Sequence, residues 1–157
     1  MASPATDVAG AIFRPMLLTA RDKAFALARV PLFLGISEES MERLAAVAGE
    51  IEFEAGQFVV LQGQVGTGLY VILDGSASVV RGSDEIAGLG PGDFFGDLSV
   101  IDQQPRNASV QAVDRVRCLA LASWDLLDLL ESDPKLALNL IRGLTARIRE
   151  QGYQHRH

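Results

Sequence analysis

The sequence predicts a β-sandwich or barrel bracketed by helices, and three observations predict it. Short β-rich runs follow one another, separated by glycine-containing turns: IEFE at 51–54, QFVVLQ at 57–62, LYVIL at 69–73, SASVV at 76–80, EIAGL at 85–89, ASVQAV at 108–113 and VRCLALA at 116–122. Many short strands at such spacing fit antiparallel sheets, not a parallel α/β sheet. Asp74-Gly75 is a strong signal for a two-residue hairpin turn. Finally, helix-favouring stretches lie on both sides of the strand region and lack its rhythm.

Taken in order, residues 1–10 are small and polar and are expected to lie loose. LLTARDKAFALA, at 17–28, is rich in good helix formers. Val30-Pro31 ends that helix, because the residue before proline is pushed out of the α region. Ser37 is placed to cap a second helix, with Glu38 and Glu39 in the first turn where the dipole favours acid. Met41, Leu44, Ala45 and Ala48 give it an apolar face, and Gly49 suits its end. After the strands, Ser123 is placed to cap WDLLDLLE, and Asp133-Pro134 sets a cap before a proline at the first helical position. The last helix is expected to reach about Gln151. Ala137, Ile141, Leu144 and Ile148 form a stripe on it that reads first as core and second as a partner face. Gly143 marks a close approach, a hinge or a merely tolerated glycine. Trp124 is expected to fill the junction between strands and helices, ahead of any base-stacking role. Arg142, Arg147 and Arg149 read as a solvated face.

Composition narrows the function classes. The chain has 157 residues, which suits a single domain of ordinary size. It carries 14 basic and 20 acidic residues, a net charge of −6, so non-specific nucleic-acid binding has little electrostatic support. Cys118 is the only cysteine, which excludes an internal disulfide, and its apolar strand setting predicts a buried, inert thiol. The two histidines, His155 and His157, lie at the C-terminal end, so a histidine triad or a multi-histidine metal centre in the core is excluded. No metal site and no catalytic residue is expected, and the chain does not read as an enzyme. No run is long and apolar enough to span a membrane, and no basic leader precedes the apolar residues at 8–20. A cytoplasmic location is the expectation.

One stretch breaks the strand rhythm: GPGDFFGDLSVIDQQPRNAS, residues 90–109. Residues 97–102 allow one or two helical turns, whose free amides suit an anion. Gly96 permits close approach of the backbone to a ligand. Arg106, set after Pro105, offers a fork suited to phosphate. Asp97 can accept from a hydroxyl such as a ribose 2′-OH. Together these describe a ribose-phosphate site; a surface Asp97–Arg106 ion pair, stabilising by about 0–1 kcal/mol, is the other reading.

These residues resemble the cyclic-nucleotide-binding domain family, shared by catabolite-activator regulators, kinase regulatory subunits and gated channels. The family's phosphate-binding cassette reads approximately Phe-Gly-Glu-Leu-Ala/Ser-Leu, four residues, then Pro-Arg-x-Ala-Thr/Ser. Here Phe95-Gly96-Asp97-Leu98-Ser99-Val100 and Pro105-Arg106-Asn107-Ala108-Ser109 stand in those places, with nine residues from acid to arginine. Leu32-Phe33, Gly35-Ile36-Ser37, Ala55-Gly56-Gln57, Gln62-Gly63, Leu69-Tyr70-Val71-Ile72 and Asp74-Gly75 agree with the family in order and spacing.

The resemblance implies an eight-stranded, jelly-roll-like β-roll with flanking helices, mainly β within the α+β class. It divides the chain into a tail and helix at 1–30, the domain at 31–151 with C-terminal helices at about 123–151, and a tail at 152–157. It implies that Arg106 pairs with the cyclic phosphate and that Gly96 and the amides near Leu98, Ser99 and Ala108 form its cradle. Asp97 would hold the ribose, and the C-terminal helix, somewhere in 140–153, would close over the base. Three departures qualify this. Asp97 replaces glutamate, which sets the carboxylate about 1.5 Å nearer the backbone. Asn107 matches neither the threonine of cyclic-GMP-preferring members nor the alanine of cyclic-AMP-preferring ones, and base choice leans to cyclic AMP. Third, no helix-turn-helix follows Gln151, so DNA binding by this chain is not expected. The implied function is a stand-alone cyclic-nucleotide sensor that needs no cofactor beyond its ligand. Its partners would be an unnamed effector protein, with a second copy through the C-terminal helix a further candidate. The alternative is an interaction domain of the same fold whose pocket no longer binds.

Overall fold

The computed structural model describes residues 5–7, 11–13, 18–64, 68–96, 101 and 107–155. Thr19 opens the first helix, α1 (Ala20–Ala28), through a reciprocal capping box with Asp22, which is why the helix starts three residues later than its composition suggests. A 3₁₀ turn (Pro31–Phe33) follows at the proline. Helix α2 (Glu38–Val47) has Ser37 as its cap, the hydroxyl accepting from the Ser40 amide. It ends at Ala48, which is already extended, and Gly49 opens a strand instead of closing the helix.

The strands are β1 (Ala5–Asp7), β2 (Ala11–Phe13), β3 (Gly49–Phe53), β4 (Phe58–Val60), β5 (Gly68–Asp74), β6 (Ala77–Arg81), β7 (Asp84–Leu89), β8 (Phe94–Phe95), β9 (Ser109–Ala112) and β10 (Val116–Ala122). Eight of them, β3 to β10, form the roll: β3-β10-β5-β8 on one side and β4-β9-β6-β7 on the other, all antiparallel. The eight-stranded jelly-roll-like architecture expected above is what the chain adopts. The hairpin β1–β2 adds to the β3 edge through Ile12 and Phe13, where the sequence suggested a loose end.

The long apolar runs follow from burial on both faces. In β5, Leu69 and Val71 face the helices, while Tyr70 and Ile72 face the roll's interior; in β10, Leu119 and Leu121 alternate likewise with Val116 and Cys118. Two apolar layers result, and each fully buried Leu or Phe in them stabilises by about 1.5–3 kcal/mol. Cys118 is fully buried, and burial pushes its thiol up to about 12. Beside the roll, buried Lys23 donates to the Ala48 carbonyl at 2.5 Å, and Arg117 pairs with Glu50 at 3.2 Å.

Helices α3 (Ser123–Ser132) and α4 (Pro134–His155) complete the chain. Ala122 occupies the cap position of α3, so Ser123 lies inside the helix and caps nothing. Trp124 is 69% exposed instead of filling the junction. It stands two residues before Leu126, about 200° around a helix whose buried face is Leu126 and Leu129. Asp133 does cap α4, accepting from the Lys135 and Leu136 amides. The apolar stripe on α4 is core only in part: Leu144 packs against the helix-side cluster, while Ile141 and Ile148 are 58% and 68% exposed. The row against the roll is Leu136 and Leu140, with Leu144 half-buried, one step around the helix.

Candidate ligand-binding site

The chain reaches the site through β8, whose two residues pair with Tyr70 and Val71 of β5. A tight turn aims it there. The Asp93 carboxylate accepts from the Gly90 amide at 2.8 Å, and Gly92 and Asp93 exchange bonds with Ile72 at 2.8 and 2.9 Å. Phe95 then turns inward and stacks on Tyr70, with centroids 5.2 Å apart, and Phe53 meets Tyr70 edge-on at 6.4 Å.

Gly96 has φ +88°, a left-handed conformation that suits glycine and strains other residues. Its place at the head of the cassette thus has a backbone reason as well as a steric one. Asp97, Leu98, Ser99 and Arg106 lie outside the described residues. On the far side Asn107 is exposed and Ala108 is 9% exposed, and the chain joins β9 between β4 and β6. The structure therefore fixes the two ends of the cassette: Gly96 leaves one sheet, and Ser109 opens a strand in the other.

Two polar residues to which the sequence assigned no role at the site stand at the second end. Arg81 Nε donates to the Asn107 carbonyl at 3.2 Å. The Gln62 amide donates to Ser109 Oγ at 2.8 Å, and the Gln62 side-chain oxygen accepts from the Gly82 amide at 3.0 Å. Gln62 entered only beside Gly63 in the family resemblance, and Arg81, the last residue of β6, gave no signal, since both lie far from the cassette in sequence.

Phe94 faces the other way, toward α4. Gly143 lies against its ring: a Cβ built on Gly143 would sit 3.0 Å from Phe94 Cζ. Of the readings open for that glycine, close approach is the one realised. Arg147 lies over the same ring at 4.3 Å and also donates to the Phe94 carbonyl. Asn139 Nδ2 ties α4 to the 3₁₀ turn, donating to the Leu32 and Leu34 carbonyls at 3.0 and 2.7 Å. A mostly apolar recess of about 280 Å³ lies beside these contacts, lined by Pro31, Leu32, Phe94, Asn139, Arg142 and Gly143. Arg147 is therefore not part of a purely solvated face. Among the described residues no group of three or more His, Cys, Asp or Glu is arranged to hold a metal ion, and no helix is long and apolar enough to cross a membrane.

The described residues thus make an antiparallel β-roll with helices packed on one of its sheets and a left-handed glycine at the end of β8. The family comparison makes it specific: the model of the cyclic nucleotide-binding domain matches residues 50–133, more than half of the chain, and the chain belongs to that family. It is 34% identical over 125 residues to a cyclic AMP receptor protein of Thermus thermophilus, covering 76% of this chain and 58% of that one. It is 30% identical over 125 residues to the cAMP-dependent protein kinase regulatory subunit of Schizosaccharomyces pombe, covering 73% of this chain and 30% of that one. A crystal structure of a cyclic nucleotide-binding domain from Methylobacillus flagellatus superposes with a TM-score of 0.70 at 28% identity, covering 83% of this chain and 79% of that one. The chain thus spans less than two thirds of either curated relative.

Proposed function

We propose that this chain is a cyclic-nucleotide sensor whose ligand site is the segment from Gly96 to Ala108. Arg106 pairs with the cyclic phosphate, and the Gly96, Leu98, Ser99 and Ala108 backbone forms the cradle. Asp97 takes the ribose hydroxyl, and Asn107 borders the base. Cyclic AMP is the first ligand to test, since the named relatives are a cyclic AMP receptor and a cAMP-dependent kinase subunit. The observation that carries the reading is the motif joined to its geometry: Phe95-Gly96 and Ala108-Ser109 frame the cassette, with a left-handed Gly96 at its head.

The same geometry supports an output route. Phe94 and Phe95 are adjacent, one packed on the helix side under α4 and the other inside the roll, directly before Gly96. Displacing the cassette therefore acts on the helix contact two residues away. A ligand shifts that equilibrium only by its differential affinity for the two arrangements. The exposed Ile141 and Ile148 give α4 an apolar row for an effector protein or a second copy.

Calorimetry with cyclic AMP and cyclic GMP tests the site. Arg106→Ala is expected to weaken binding by about 2–5 kcal/mol, as for truncating one side of a buried charge pair. Equal affinities for the two proteins would remove Arg106 from the site. The shorter Asp97 favours a second reading, an interaction domain without ligand, and the absence of both heat and thermal shift from the wild type at millimolar nucleotide would favour it.

A further inference from the structure

We infer that Arg81 is a positioning residue for the phosphate site, acting through the backbone that follows Arg106; this rests on the function proposed above. Three hydrogen bonds carry the inference. Arg81 holds the Asn107 carbonyl, the Gln62 amide holds Ser109 Oγ, and the Gln62 side chain holds the Gly82 amide. They close a ring: residues 81–82 at the head of the β6–β7 turn, Gln62 after β4, and residues 107–109 at the cassette exit.

The register explains how residues so far apart in sequence meet. Val80 pairs with Ser109, so Arg81 falls level with the residues just before β9. Arg81 also continues the row of Ala77 and Val79, which pack in the roll's inner cluster, and stands at the exposed end of β6. Its Nε is directed to a carbonyl one residue beyond Arg106. A bidentate grip on a phosphate needs the guanidinium held to about 0.5 Å, which a loosely held backbone does not provide. The ring supplies that hold from two loops outside the cassette. Arg81 is itself exposed and contributes little to the core, so its loss registers in affinity and not in folding.

The test compares wild type, Arg81→Met and Arg81→Lys. Methionine keeps an apolar stem and removes the donors, while lysine restores a donor. Cyclic AMP affinity is expected to fall about three- to tenfold in Arg81→Met, the worth of one net hydrogen bond, and to recover most of that in Arg81→Lys. The thermal midpoint of both variants stays at the wild-type value. In ligand-free protein, amide hydrogen exchange across residues 107–112 is expected to be faster in Arg81→Met than in wild type. Unchanged affinity together with unchanged exchange overturns the inference. A loss as large as that of Arg106→Ala, with no recovery in lysine, also overturns it, because Arg81 would then touch the ligand directly. If the wild type binds no cyclic nucleotide, the proposed function falls, and the exchange measurement still decides whether Arg81 holds the cassette exit.

Discussion

Asp133 joins two helix heads, and replacing it measures what that junction contributes. Its carboxylate accepts from the Lys135 amide at 3.1 Å and the Leu136 amide at 3.4 Å, capping α4. The same group accepts from the Ser37 amide at 3.2 Å and the Ser37 hydroxyl at 3.4 Å, at the head of α2. Asp133→Ala removes a helix cap, at about 1 kcal/mol. It also removes the bond from the amide of exposed Ser37, at about 0.5–1.5 kcal/mol more. The sum, roughly 1.5–2.5 kcal/mol, corresponds to a fall of about 3–10 °C in Tm for a domain of this size. Asp133→Asn retains an acceptor oxygen and loses the charge, so it falls between.

The dependence on pH carries a sign. Hydrogen bonding by the Ser40 hydroxyl, then by the Ser37, Leu136 and Lys135 amides, holds the Asp133 carboxyl below the usual carboxylate range against the opposing effect of burial. A depressed folded pKa gives stability that is fully present above the unfolded value, about 3.9, and is lost as pH falls through the lower folded value. Urea unfolding followed by circular dichroism should therefore show the gap between wild type and Asp133→Ala closing as pH drops from 5 toward 3. A gap under about 0.5 kcal/mol at pH 7, or one that widens in acid, would refute the reasoning.

Other outcomes follow from single contacts. Gly75→Ala should cost at least about 3 kcal/mol in urea unfolding, because φ is +87° and the new Cβ would meet the Arg115 carbonyl oxygen at 2.2 Å. Cys118 should not react with a thiol reagent at pH 8 in the native state and should titrate as one thiol after denaturation, since burial pushes it up to about 12. Asn139→Ala should cost about 1–2 kcal/mol in urea unfolding by removing two bonds to the 3₁₀ turn, and should speed amide exchange in α4.

The roll was legible because its central strands are buried on both faces, which makes LYVIL and VRCLALA continuous apolar runs. Ser37 and Asp133 were legible as caps because capping is local chemistry. β8 was not, since two residues after Gly-Pro-Gly-Asp carry no period, and β5 supplies their pairing. The β1–β2 hairpin escaped for the same reason: β3 supplies its edge. On α4 the stripe Ala137–Ile141–Leu144–Ile148 runs beside a second row, Leu136–Leu140, that shares Leu144, and periodicity does not say which one faces the sheet. Trp124 misled because size suggests burial while its angular position opposes Leu126. At the site, the cassette was legible as a motif and Gly143 as an anomaly. Arg81 and Gln62 were not, because only strand register brings them to Asn107 and Ser109.

The notch at Gly143 restricts how α4 can travel. A slide of one helical turn, about 5.4 Å, would put Asn139 or Arg147 over the Phe94 ring where the glycine now sits, and neither side chain fits a gap that a single Cβ already closes to 3.0 Å. The helix consequently has one axial stop on the roll. Pivoting or lifting away remains open to it, whereas ratcheting along its own length does not. Under the function proposed above, a signal leaving through α4 would accordingly be a change of angle, with Phe94 as the fulcrum.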